Sequence, residues 1–175
     1  RFEVPPVAFF QNNLEVTELI IQHIMNEMGQ SVGNSLLDLY SGIGTFSITI
    51  GNQMKKVTSV ESNPVSVKAL KANANLNGMF GIDLVMNDVV DFLKSNERQF
   101  STVILDPPRA GVGDGIRLLE KVKPSRIFYV SCDPATLARD TAKLIESGYE
   151  ISSVKAFDMF PQTWHVETVC LLERR

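Results

Sequence analysis

The sequence predicts an α/β fold built on a mostly parallel β-sheet, with helices covering both faces. Two observations lead to this prediction. Short β-rich runs alternate with helix-length amphipathic stretches along the chain, and such alternation produces parallel strands joined by crossover helices. The last two β-rich runs follow each other too closely for a parallel crossover, so one of them is expected to run antiparallel.

The strands are predicted from short apolar, β-branched runs bounded by turn residues. These seven predicted strands are 35–40, 56–60, 82–86, 102–105, 126–130, 151–157 and 166–172. Residues 111–115 and 158–164 are predicted to form flexible loops.

The helices are predicted from apolar residues at helical spacing, together with start and stop signals. The six predicted helices are 13–28, 45–52, 64–77, 89–96, 116–122 and 134–147. Gly29 and Gly148 mark two helix ends, while Pro64 and Pro134 fit the first helical position.

The composition indicates one globular domain spanning residues 1–175, with 44% hydrophobic and 21% charged residues and a net charge of −3. This excludes intrinsic disorder, and two cysteines exclude a disulfide scaffold and a multi-cysteine metal site. We therefore expect no metal, no membrane span and a monomeric, cytoplasmic protein. A start at Arg1-Phe2 without Met also leads us to expect a fragment.

The first informative motif is D-L-Y-S-G-I-G-T-F, residues 38–46, between a predicted strand and helix. Glycines there let the backbone approach a ligand closely. Glu61 ends the second strand, where a carboxylate can bind both hydroxyls of a ribose. Asp88 follows the third strand and can bind an adenine amino group. Ser47 stands where a dinucleotide site has its third glycine, which favours S-adenosylmethionine over NAD.

A second group of polar residues follows the later strands. Cys132 lies beyond an apolar run, with Asp133 as the expected N-cap of the next helix. A helix N-terminus favours thiolate, so we expect a lowered thiol pKa, although the Asp133 charge opposes it. Cys170 lies within an apolar strand and is expected in the core. His165 directly precedes the last predicted strand and Glu167 lies at its start, and spacing alone leaves either as the candidate base.

Taken together, five collinear motifs resemble the RNA uridine carbon-5 methyltransferase family, whose members methylate uracil in tRNA or ribosomal RNA. The motifs are F-F-Q-N-N (9–13), D-L-Y-S-G-I-G-T-F (38–46), L-D-P-P-R-A-G (105–111), Y-V-S-C-D-P-A-T-L-A-R-D (129–140) and D-M-F-P-Q-T-W-H-V-E (158–167). The resemblance implies a class I S-adenosylmethionine-dependent methyltransferase fold, with a seven-stranded sheet containing one antiparallel strand. It also implies that an N-terminal RNA-binding region is absent here, so that this chain alone binds RNA weakly.

The same resemblance implies residue roles. Cys132 is the implied nucleophile and Glu167 the implied general base. The positions matching cofactor contacts, together with those argued above from the strand ends, are Gln11, Tyr40, Gly42, Thr45, Glu61, Asp88 and Asp106. Phe160 and Trp164 are candidates to stack on a uracil that has left its helix.

Three other functions fit part of the sequence. Asp106-Pro107-Pro108 resembles the loop of amino-group methyltransferases, but Arg109 replaces its aromatic residue and Cys132 would have no task. A cytosine carbon-5 RNA methyltransferase also needs a thiol, although its motifs differ. A binding module without catalysis would leave both Cys132 and Glu167 unexplained.

Overall fold

The computed structural model of the chain describes residues 1–6, 8, 11, 13–29, 35–159, 161–163 and 166–175. Its strands are β1 (Ser35–Leu39), β2 (Lys56–Glu61), β3 (Asp83–Met86), β4 (Thr102–Leu105), β5 (Arg126–Ser131), β6 (Tyr149–Phe157) and β7 (Glu167–Arg174). They form one sheet in the order β3-β2-β1-β4-β5-β7-β6.

Strands β1 to β5 pair in parallel, whereas β7 pairs antiparallel with both β5 and β6. The sequence therefore predicted the topology correctly, and β7 is the antiparallel strand. Because β7 runs antiparallel to β5, its first residue lies at the edge of the sheet where β1, β4 and β5 end. This edge, with the segments that follow those strand ends, is called the carboxyl edge below.

The α-helices are α1 (Leu14–Met28), α2 (Thr45–Thr49), α3 (Pro64–Leu76), α4 (Val89–Ser95), α5 (Leu119–Val122) and α6 (Pro134–Glu146). Side chains of Asn13, Asn63, Asp88 and Asp133 accept hydrogen bonds from backbone N–H groups in the first turns of α1, α3, α4 and α6. These caps satisfy donors that a helix start otherwise leaves unpaired. The predicted roles of Asp133, Pro64 and Pro134 are confirmed.

Two predicted helices differ from the structure. The helix expected over 45–52 stops at Thr49 and gives way to a 3₁₀ turn, Gly51–Gln53. A side chain on Gly51 would press against Val57, so the turn packs closely on β2. The helix expected over 116–122 begins earlier, as a 3₁₀ segment Gly113–Leu118 that continues into α5.

The core consists of two buried clusters, one on each face of the sheet. One contains Leu37, Leu39, Val103, Leu105 and Ile127 with residues of α4, α5 and α6, and the other contains Leu36, Ile104 and Phe128 with residues of α1 and α2. Alternate residues of β1 and β4 thus enter opposite clusters, as expected for a strand buried on both faces. This two-sided burial holds the strand ends of the carboxyl edge in fixed positions.

Candidate functional site at the carboxyl edge of the sheet

The glycine turn after β1 lies at the carboxyl edge. Tyr40, Gly42 and Gly44 all have positive φ, at 61°, 53° and 94°. A Cβ on Gly44 would lie 2.8 Å from Cγ of Leu70, so α3 packs against the turn. A Cβ on Gly42 would meet nothing within 4 Å, so space remains beside that backbone. Thr45 follows as the first residue of α2.

Glu61 and Asp88 follow the neighbouring strands, as the sequence predicted. Oε2 of Glu61 accepts the backbone N–H of Gly42 at 2.9 Å, which joins the end of β2 to the glycine turn. Its Oε1 accepts the N–H of Asn63 at 2.8 Å. Asp88 is exposed, and its Oδ1 caps α4. A carboxylate oxygen offers more than one lone pair, so these bonds leave acceptor capacity on both side chains.

Gln11 and Asp106 are brought together although 95 positions separate them. Nε2 of Gln11 donates to Oδ2 of Asp106 at 3.2 Å, and Gln11 is buried. The backbone N–H of Asp106 also reaches the carbonyl of Leu39, at 3.4 Å. Asp106 therefore lies between the end of β1 and the segment that precedes α1.

Cys132 lies in the turn between β5 and α6, and its side chain is partly exposed. The Ser131 hydroxyl closes this turn, accepting the N–H of Asp133 at 3.1 Å. The Arg109 guanidinium lies close to the Cys132 thiol, and its positive charge is one of the influences on the thiol pKa, acting to lower it. Cys170, in contrast, is buried in the core, as predicted.

Glu167 is the first residue of β7, and its side chain is only 3% exposed. The last residue pair between β5 and β7 is Ser131 with Thr168, and Cys132 and Glu167 are the next residues beyond it. The charge of Glu167 acts on the Cys132 thiol, so the two side chains lie close together. The two residues for which the sequence suggested nucleophile and base are therefore brought side by side. Phe160, Trp164 and His165 lie outside the described residues.

Burial makes the carboxyl groups of the site hard to ionise. It raises the pKa of Glu167 to about 8, with a further contribution from the nearby Asp106 charge. The pKa of Asp106 rises to about 7 for the same reason, although the Gln11 hydrogen bond opposes the rise. Because their pKa values are raised in the folded protein, these two carboxyls contribute fully to the free energy of unfolding only below about pH 4, where they are neutral. That contribution is lost as the pH rises to about 8.

The expectation of a lowered thiol pKa was wrong. The pKa of Cys132 is raised, first because the thiol is partly buried and second because of the negative charge of Glu167. Arg109 opposes both effects, but its side chain is exposed. The cap carboxylate Asp133 also receives the first N–H groups of α6, which reduces their effect on the thiol.

Two further charged groups lie at this edge. Asp38 is fully buried and accepts the Ser47 hydroxyl, and burial raises its pKa to about 7. Its Oδ1 has no partner among the described residues. An acidic residue inside an apolar strand run was the available signal. Arg109 gave no such signal, because only the fold brings it to Cys132.

Within the described part of the chain, no three His, Cys, Asp or Glu residues lie together as a metal site would require. The helices described there are also too short or too polar to cross a membrane.

Two solved structures of methyltransferases are similar to this chain. The crystal structure of Pyrococcus abyssi tRNA (uracil-54, C5)-methyltransferase in complex with S-adenosyl-L-homocysteine superposes with a TM-score of 0.81 and 34% identity. The match covers 98% of this chain and 41% of that one. A ribosomal protein L11 methylase from Lactobacillus delbrueckii shares the fold alone, with a TM-score of 0.76 and 18% identity. That match covers 100% of this chain and 85% of the methylase. The class I methyltransferase fold predicted from the sequence is confirmed.

Sequence relatives point the same way. An uncharacterized RNA methyltransferase of Thermotoga maritima is 50% identical over 98% of this chain and 39% of its own length. The 23S rRNA (uracil(1939)-C(5))-methyltransferase RlmD of Shewanella amazonensis is 37% identical over 96% of this chain and 38% of its own length. This chain thus spans about two-fifths of these relatives. The model of the family described as tRNA (uracil-5-)-methyltransferase matches residues 1–175, and the chain belongs to that family.

Proposed function

We propose that this chain is the catalytic domain of an S-adenosylmethionine-dependent enzyme that forms 5-methyluridine in tRNA or rRNA. The observation that carries the proposal is the nearness of Cys132, just after β5, to Glu167, the first residue of β7. A thiol and a buried carboxyl side by side fit a reaction that needs a nucleophile and then a base.

The cofactor site would lie along the ends of β1, β2 and β3. Open space beside Gly42, next to the Glu61 carboxylate, fits a nucleoside whose ribose hydroxyls bind that carboxylate. Tyr40, Thr45, Asp88 and the Gln11–Asp106 pair complete the proposed set. The cofactor supplies an electrophilic methyl group on sulfur.

Cys132 acts first. Its thiolate adds to carbon-6 of uracil, and the electron pair of the 5,6 double bond moves to carbon-5 as an enolate. Carbon-5 would then attack the methyl carbon as the sulfur–methyl bond breaks, the electron pair of that bond would stay on sulfur to leave S-adenosyl-L-homocysteine, and the Cys132–carbon-6 bond would persist. Arg109 favours the thiolate that starts this sequence.

Glu167 acts second. Carbon-5 now carries a methyl group and a proton, and the Glu167 carboxylate takes that proton. The electron pair re-forms the double bond and expels the Cys132 thiolate. A carboxylate with a pKa of about 8 is a stronger base, once ionised, than one with an ordinary pKa.

RNA is the proposed partner, and we expect this chain alone to bind it weakly. The net charge is −3, and several arginines are already paired with carboxylates. Arg117 pairs with Glu146 and Arg126 with Glu173. Non-specific RNA affinity depends on free basic groups that neutralise phosphates, so other parts of the protein would supply most of the affinity.

The test of the proposed function is covalent capture on RNA containing 5-fluorouridine. After methyl transfer, carbon-5 would carry fluorine in place of the proton that Glu167 removes, so the Cys132 bond cannot break. We expect the intact protein to form an adduct with tRNA or 23S rRNA transcripts that survives a denaturing gel and requires S-adenosylmethionine. Cys170→Ala is the matched control and should form the same adduct.

Two outcomes would contradict this assignment. Methylation of ordinary RNA with no adduct on the fluorinated RNA would exclude a thiol intermediate and favour methylation of an amino group. Capture on 5-fluorocytidine RNA in place of 5-fluorouridine RNA would identify cytosine as the target.

A second prediction concerns the cofactor. Glu61→Ala removes the proposed ribose acceptor, and we expect S-adenosylmethionine to bind ~10–100-fold more weakly, because a charge-assisted hydrogen bond contributes ~1.5–3 kcal/mol. Titration calorimetry measures the change. Glu150→Ala removes an exposed carboxylate on β6 and should bind like the parent. Equal affinity of Glu61→Ala and the parent would remove Glu61 from the site.

A further inference from the structure

Asp140 is a buried carboxylate that the proposed reaction does not use. It lies on the buried face of α6, with Leu137 and Leu144, and is 0% exposed. Burying a charge in such a place costs free energy unless hydrogen bonds satisfy it. The structure supplies them, and they come from a loop distant in sequence.

The contacts of Asp140 hold the segment that follows Asp106-Pro107-Pro108. Its Oδ2 accepts the backbone N–H groups of Val112 at 2.8 Å and Gly113 at 3.3 Å. The same oxygen accepts the hydroxyl of Tyr129, also at 2.8 Å. Its Oδ1 accepts Nε of Arg139 at 2.9 Å. Val112 and Gly113 of the predicted loop are thus hydrogen-bonded to α6, and residues 113–115 belong to the 3₁₀ segment rather than to a loop.

Arg139 completes the contact from α6. Its guanidinium donates to the carbonyl of Ala110 at 2.8 Å. Gly111 lies between the two side chains with φ of 71°, and a Cβ there would be 2.6 Å from Asp140 and 2.7 Å from Arg139. We call Arg139 and Asp140 the α6 clamp, because together they hold the backbone of residues 110–113 with no room for a side chain at 111.

The position of the clamp links two parts of the site. The residue directly before the clamped segment is Arg109, whose guanidinium acts on the Cys132 thiol. Cys132 in turn lies just before α6, about two helical turns from Asp140. The thiol therefore lies just before the start of α6, and the side chains that hold the loop carrying Arg109 lie farther along the same helix.

We propose that Arg139 and Asp140 are positioning residues that hold Arg109 against Cys132 and thereby set the reactivity of the thiol. This rests on the proposed function, in which Cys132 is the nucleophile. Loosening the clamp frees the backbone of residues 110–113, and the Arg109 guanidinium then spends less time beside the sulfur. A cation near a thiol favours thiolate, so the thiol of a clamp variant ionises at a higher pH.

The test measures the thiol directly, without RNA. Cys132 of the protein is alkylated with iodoacetamide across a range of pH, and each cysteine peptide is quantified by mass spectrometry. For Asp140→Asn we expect the midpoint of Cys132 alkylation to rise by about 0.5–1 pH unit. The matched control is Lys143→Met, which breaks another α6 contact to the 3₁₀ segment, with Asp114, and should leave the midpoint unchanged.

Cys170 serves as an internal measure of folding, because it is 1% exposed and reacts only if the core opens. If Asp140→Asn exposes Cys170, Tyr129→Phe takes its place. That variant removes the Tyr129 hydroxyl that donates to Asp140 and leaves the Asp140 carboxylate in place. Its midpoint of Cys132 alkylation should also rise, by a smaller amount.

A double variant separates positioning from a general structural effect. Arg109→Ala should raise the midpoint by itself, and adding Asp140→Asn should raise it no further, because the clamp acts through Arg109. Additive shifts would overturn the proposal, as would a parent-like midpoint for Asp140→Asn.

In the intact protein we expect Asp140→Asn to lower kcat and leave the KM for S-adenosylmethionine unchanged. If Cys132→Ala still methylated RNA, the proposed function would fail, whereas the alkylation result would still decide the clamp.

Discussion

Exchange of Cys132 for alanine is expected to reduce methylation of uridine by at least ~10³-fold, the scale of loss when a covalent nucleophile is removed. Without the thiolate, carbon-5 of uracil never becomes the enolate that accepts the methyl group. The variant should therefore yield neither methylated RNA nor a covalent complex. Labelled cofactor and a denaturing gel measure both products in one experiment.

The controls for this variant are chosen to separate chemistry from folding. Cys170→Ala changes the buried cysteine and should remain active if it folds. Cys132→Ala should still bind S-adenosylmethionine, because the proposed cofactor residues lie on other strand ends. Robust uridine methylation by Cys132→Ala would refute the thiol mechanism. It would favour the alternative in which the Asp106-Pro107-Pro108 loop serves an amino-group methyltransferase.

Exchange of Glu167 for glutamine should produce the opposite defect. The variant keeps the thiol and the cofactor site, so it still transfers one methyl group, but nothing then removes the carbon-5 proton. We expect a protein–RNA adduct that carries the labelled methyl group and accumulates in proportion to the enzyme added. Release of 5-methyluridine should fall by ~10²–10⁴-fold, as is typical when a general base is lost.

His165 provides the comparison for the base, since spacing alone left both residues possible. His165→Ala should turn over without accumulating the adduct. Accumulation with His165→Ala together with normal turnover by Glu167→Gln would move the role of base to His165.

The same assignment predicts a pH dependence. With a pKa of about 8, Glu167 is only about a tenth ionised at pH 7 in the free protein. The base works in its ionised form, so resolution of the adduct should accelerate from pH 6 to about 8 and then level off. Glu167→Gln should lack this dependence in the resolution step.

Most of the architecture could be predicted from the sequence, because the signals involved are local. Alternating β-rich and helical runs predicted the element order, and Asp133-Pro134 marked the start of α6 correctly. The short link between the last two runs indicated an antiparallel strand, which is β7. The 3₁₀ segments at 51–53 and 113–118 were missed because close packing against neighbouring elements decides them, as Gly51 against Val57 illustrates.

For the candidate site, the sequence by itself determined which chemical groups are present and that each lies at or next to the end of a strand. It placed Cys132, Asp106 and Glu61 at strand ends, and parallel strand ends meet at one edge. The tertiary structure alone decided the pairings across long sequence distances. It placed Glu167 near Cys132, Gln11 next to Asp106, and the α6 clamp against residues 110–113.

The tertiary structure also decided the charge states. Desolvation and the charge of Glu167 act on the Cys132 thiol, so its pKa rises rather than falls. Burial likewise turned Glu167 from an ordinary carboxylate into a base with a pKa of about 8. A sequence lists titratable groups in chain order, but their pKa values depend on the water they lose and the charges they meet, and only folding sets those distances.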